Sequence, residues 1–120
     1  MRGLAWILAL TATSAWGAGP TPGHYAATLC VATTAPTLPS CGAARLEVRS
    51  GGRMKVQVAD IVYRLQLGRE QMDVRTLQGR MQIDEFSTAY AWQDGALLFE
   101  DGDKNVRYRV KVERQMPVAR

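Results

Sequence analysis

Residues 105–113 read N-V-R-Y-R-V-K-V-E, with Val106, Tyr108, Val110 and Val112 alternating against Arg107, Arg109 and Lys111. Successive side chains of a strand point to opposite faces, so this run predicts one apolar face and one cationic face. Most segments upstream repeat the pattern. Residues 24–31 place Tyr25, Ala27, Leu29 and Val31 together, with Cys30 on the other face. Residues 44–49 set Leu46 and Val48 against Arg45, Glu47 and Arg49, and Ser50-Gly51-Gly52 supplies the positive φ of a tight turn. Residues 53–59 return with Met54, Val56 and Val58 inward. The alternation slips at Ala59-Asp60, which marks a turn or bulge. Residues 61–67 resume with Ile61, Tyr63, Leu65 and Leu67 inward, and Val62 breaks an otherwise polar outer face.

Beyond Gly68, residues 71–76 turn Met72 and Val74 inward, and residues 80–83 bring in Met81 and Ile83 after a turn at Gln78-Gly79. Along residues 86–93, Phe86, Thr88, Tyr90 and Trp92 share one face, which is either core or an exposed stacking platform. Asp94-Gly95 is a hairpin signal, and Leu97-Leu98-Phe99 is too short a run to assign faces. No helical period is sustained. The pattern predicts an all-β antiparallel meander of about eight or nine short strands in a single domain, residues 24–113. A small closed β-barrel is the favoured architecture because closure removes sheet edges; a two-layer β-sandwich is the alternative.

The N-terminus changes the picture by adding a compartment. Residues 1–17 read as a signal peptide: Arg2, a short apolar run over residues 4–10, and Ala15-Trp16-Gly17 before Ala18. The apolar run is too short to span a bilayer, so the expectation is a periplasmic or secreted protein with no transmembrane segment. Residues 18–23 read as a flexible Pro/Gly linker and residues 114–120 as a disordered tail. The chain holds two cysteines. In an exported protein they are expected to form one disulfide, Cys30–Cys41, whose ring contributes about 2–3 kcal/mol.

Chemistry-bearing patterns are sparse. His24 is the sole histidine, with no partner for a metal site or a nucleophile, and no G-x-S-x-G elbow is present. Asp101-Gly102-Asp103-Lys104-Asn105 opens like a calcium loop, but Val106 and Val112 occupy the positions that need Gly and Glu, so a polar hairpin turn is expected. The acids at Asp84-Glu85 and Glu100-Asp101 read as solvated turn residues. These readings give no enzyme, no cofactor and no metal.

Charge supplies the candidate site. The whole chain is formally +4, and loss of Arg2 with the leader lowers this by one. Arg107, Arg109 and Lys111 line one side of the last strand, and Arg45, Arg49, Arg53, Lys55 and Arg64 are outward on earlier strands. If those strands are neighbours, the cations form a stripe that can hold an anionic group. Arg107, Arg109, Lys111 and Arg64 are the binding candidates. A nucleic-acid partner would want aromatics interleaved with the charges, so the expected partner is a protein or an anionic envelope component, engaged by a monomer. The alternative function is a carrier holding a small apolar ligand inside the barrel, lined by Tyr63, Met72, Met81 and Tyr108.

The order Gly23-x-Tyr25, Leu29-Cys30, Cys41, Leu46-x-Val48, followed by a Gly turn and a meander, resembles small exported bacterial β-barrel domains, the N-terminal barrel of the copper-resistance envelope lipoprotein family among them. The resemblance covers residues 23–48 and implies the barrel alone. The chain lacks that family's close C-x-x-C pair and its lipidated N-terminal Cys, so no copper function, lipid anchor or site residue comes with it.

Overall fold

A computed structural model describes residues 19–33 and 38–117; the expected signal peptide and the last three residues lie outside the described residues. The elements are β1 (Gly23–Thr33), β2 (Ser40–Arg49), a short turn of helix at Ser50–Gly52, β3 (Arg53–Val58), β4 (Ile61–Leu67), β5 (Gln71–Gln78), β6 (Met81–Gln93), β7 (Ala96–Asp101) and β8 (Val106–Gln115). Each strand pairs antiparallel with the next, and β8 pairs with β1, closing the eight strands into a barrel. The expected all-β barrel is what the chain forms.

Alternation builds the interior. Tyr25, Leu29, Leu46, Met54, Val56, Leu65, Met72, Val74, Leu97, Phe99 and Val110 are buried inside, from every strand but β6, which adds the partly buried Phe86, Tyr90 and Trp92. Most outer faces carry charged or polar groups, the reverse of a barrel whose outside meets lipid. No described helix is long and apolar enough to cross a membrane. Val62, the apolar interruption outside, lies directly opposite Leu77, and the two half-buried side chains cover one another.

Turn chemistry follows the residues. Asp94 and Gly95 both have positive φ, the tight hairpin turn that Asp-Gly favours. At Gly52 (φ 80°) an added Cβ would meet the Leu67 carbonyl oxygen, so glycine is required twice over, by conformation and by space. Cys30 and Cys41 face each other across β1 and β2 and form the disulfide, and the flanking strands run further toward the loop than alternation indicated, to Thr33 and from Ser40. At the other end of β1, Gly19 lies against the Trp92 indole and the Tyr25 hydroxyl donates to the Thr21 carbonyl at 2.6 Å. The ladder of β8 reaches Gln115, and the Met116 N–H continues it by donating to the His24 carbonyl at 2.7 Å.

Two details depart from the simple alternation. The expected separate runs 80–83 and 86–93 are one strand, β6, containing a bulge: Thr76 faces Asp84 while Leu77 faces Gln82, leaving Ile83 as the extra residue. Ile83 is therefore 48% exposed, and Met81, at the rim, is 67% exposed; neither is core. The bulge turns Asp84, Phe86, Thr88, Tyr90 and Trp92 toward the interior. The second detail is the seam to β7. β6 pairs with β5 up to Ala89, but with β7 only through Tyr90 to Gln93. Beyond those four pairs β6 and β7 share no ladder, and Lys104 bridges the mouth to Asp84 at 2.8 Å.

Candidate binding faces

The aromatic face of β6 is inward. Tyr108 stacks on Phe99 (centroids 4.9 Å apart) and on Phe86 (6.3 Å), and Tyr63 meets it edge-on at 5.8 Å. Of the four residues expected to line a ligand space, Tyr63, Met72 and Tyr108 point inward, whereas Met81, at the rim, is exposed. Burial pushes the Tyr108 hydroxyl up to about 12, helped by Tyr63, Asp101 and Asp84. Burial also raises Tyr63.

The two acids expected at solvated turns do structural work instead. Asp101 is 3% exposed, and its carboxylate accepts the Asp103 N–H at 3.1 Å. With the Lys104 N–H on the Asp101 carbonyl and Asn105 at φ 55°, this stretch is the expected polar turn. The hydrogen bond from Lys104 holds the Asp84 carboxyl below its usual range, assisted by the Glu85 N–H. No group of three or more acids, His or Cys positioned for a metal occurs among the described residues.

The outward cations fall on two separate faces. Arg107, Arg109 and Lys111 lie on β8; Arg64 lies on β4, on the opposite side of the closed barrel. The expected single stripe is thus divided, because β1 intervenes between β8 and β2 and presents Ala26, Thr28, Cys30 and Ala32 outward.

On the β8 face, Arg107 has Ala32 and Glu100 as cross-strand neighbours, Arg109 has Cys30 and Leu98, and Lys111 has Thr28 and Ala96. Among the described residues none of these three cations makes an ion pair. A groove of about 810 Å³ opens on this side, lined outside by Ala32, Pro39, Ala89, Ala91, Leu98, Glu100, Arg107 and Arg109 and reaching the inward-facing Thr88, Tyr90, Phe99 and Tyr108. Lys111 lies one alternate position beyond it. Leu98 and the two alanines were illegible as site residues: Leu97-Leu98-Phe99 has no alternation of its own, and the face of Ala89 and Ala91 depends on the bulge at Ile83.

The second face spans β2 to β5. Register places Lys55 opposite Arg64, and Arg64 opposite Arg75, with Glu47 and Glu85 at the two ends of the row. A groove of about 420 Å³ lies here. Glu47 takes Arg49 at 2.8 Å and Lys55 at 3.5 Å; its carboxyl is lowered chiefly by the Arg49 hydrogen bond. Arg75 was not among the sequence candidates, although the alternation of Met72, Val74 and Thr76 puts it outside.

Comparison with protein family models, curated proteins and solved structures finds no match to this chain.

Proposed function

We propose that this chain is an exported, non-enzymatic binding module that engages an acidic protein segment along the outer face of β8. The observation that carries this reading is an apolar groove beside two arginines that make no ion pair among the described residues, although Glu100 stands opposite Arg107. Arginine beside exposed apolar surface is the composition of interface anchors, since the guanidinium binds carboxylates in a fork while its stem packs on carbon. A protein segment is favoured over a small anion here because the groove is open and largely apolar. The leader-like residues 1–17 and the Cys30–Cys41 disulfide support an oxidising, extracytoplasmic site of action.

A photo-crosslinking residue placed at position 91 in the exporting host tests this. The expected result is a discrete protein adduct at position 91, none at position 57 on the far face, and loss of the adduct when Arg107, Arg109 and Lys111 are reversed to Glu with the thermal midpoint unchanged. An adduct that survives the reversal sinks the reading.

A further inference from the structure

We infer that the β2–β5 face holds a second site, independent of the partner face, that binds a small multivalent oxyanion of the phosphate class through Lys55, Arg64 and Arg75. Three cations stand at directly opposed positions on three adjacent strands. Side chains so placed have Cβ atoms roughly 5 Å apart, and like charges there repel. A sheet face with no ligand relieves such repulsion by interleaving acids. Here the acids are spent at the ends of the row: Glu47 on Arg49 and Lys55, and Glu85 on Arg75 at 3.7 Å. Asp73, the remaining acid of the groove, accepts the Ser87 hydroxyl at 2.6 Å. Arg64, at the centre, has a cation on either side and no ion pair among the described residues.

The groove's shape limits the ligand. A space of about 420 Å³ walled by long basic side chains admits a small molecule carrying two or more negative oxygens. Phosphate oxygens accept the paired donors of a guanidinium in a plane while a neighbouring ammonium adds a point charge, which fits the Arg64–Lys55 neighbourhood. Binding would remove the repulsion that the empty row carries, so anion affinity and thermal stability are linked at this position.

The probe is pyrophosphate, titrated by calorimetry and by thermal midpoint at constant ionic strength set with sodium chloride. The expected result is saturable binding with a rise in midpoint. Arg64→Gln should weaken binding roughly tenfold or more, a change of about 1.4 kcal/mol, and abolish the rise. The same substitution should leave the midpoint without pyrophosphate unchanged or higher, because it removes a charge flanked by like charges. Arg114→Gln, which deletes the same charge on β8, should leave pyrophosphate binding intact. Equal weakening by both variants, or a rise reproduced by chloride alone, would reduce the effect to screening and overturn the site.

Vesicles of phosphatidylcholine containing phosphatidate separate two sources of the same chemistry. Binding to pyrophosphate without vesicle co-sedimentation assigns the site to soluble anions. Co-sedimentation that Arg64→Gln abolishes assigns it to a phosphate headgroup.

Discussion

Tyr108 shows how one side chain reports on the whole interior. Its ring packs with Phe99 and Phe86 in a mutually contacting trio, and its hydroxyl is pushed from 10.0 to about 12 by burial. The unfolded chain therefore gives up this proton at lower pH than the folded barrel does. The resulting stability is present below about pH 10 and is lost as pH rises toward 12. Urea midpoints should fall across that window, and Tyr108→Phe should make the fall shallower, leaving the part due to Tyr63. An identical slope in the variant would mean that the phenol is not desolvated. Alternation alone identified Tyr108 as inward. What it could not give was the neighbours: Phe99, opposite across the β7–β8 hairpin, lies in a run with no alternation of its own, and Phe86 lies two strands away on β6. Asp84 was read as a solvated turn acid for a related reason: its inward turn follows from the extra residue at Ile83, and a bulge is visible only against a partner strand.

At the scale of elements, the strands with strict alternation were legible almost to the residue. β3 and β8 repeat apolar and polar positions, and β4 does so with Val62 as its one apolar outward residue. The first hairpin was harder. Its strands continue to Thr33 and from Ser40 because the disulfide joins residues that also face each other in the ladder, so the crosslink extends a sheet that composition reads as loop. Replacing both Cys30 and Cys41 by Ser should lower stability by about 2–3 kcal/mol, read by chemical denaturation. It should also speed hydrogen exchange at residues 28–33 and 40–44 more than in β4 and β5. Uniform acceleration over the barrel would assign the disulfide a global role only. The division of cations between two faces was beyond the sequence as well. Which outward residues are neighbours depends on strand order and closure, and β1 carries no positive charge that would have advertised its position between the two faces.

For the whole molecule, the decisive pairing is β1 with β8, the two strands furthest apart in the chain. Seven hairpin ladders can form between consecutive strands, each with a short connection, but none of them closes the barrel. Until residues 106–115 are in place, β1 and β7 each present an unpaired edge, and the inner face of the sheet remains open. The pairing therefore makes β8, the last strand in chain order, the one that ends the exposure of both edges. A chain ending at residue 104 should consequently lack a cooperative unfolding transition and sediment as a self-associated species, whereas the chain with β8 restored sediments as a monomer. A truncated chain that unfolds cooperatively as a monomer would show that seven strands suffice. Closure thus makes the fold all-or-none in strands: with seven the sheet has two open edges, and with the eighth it has none.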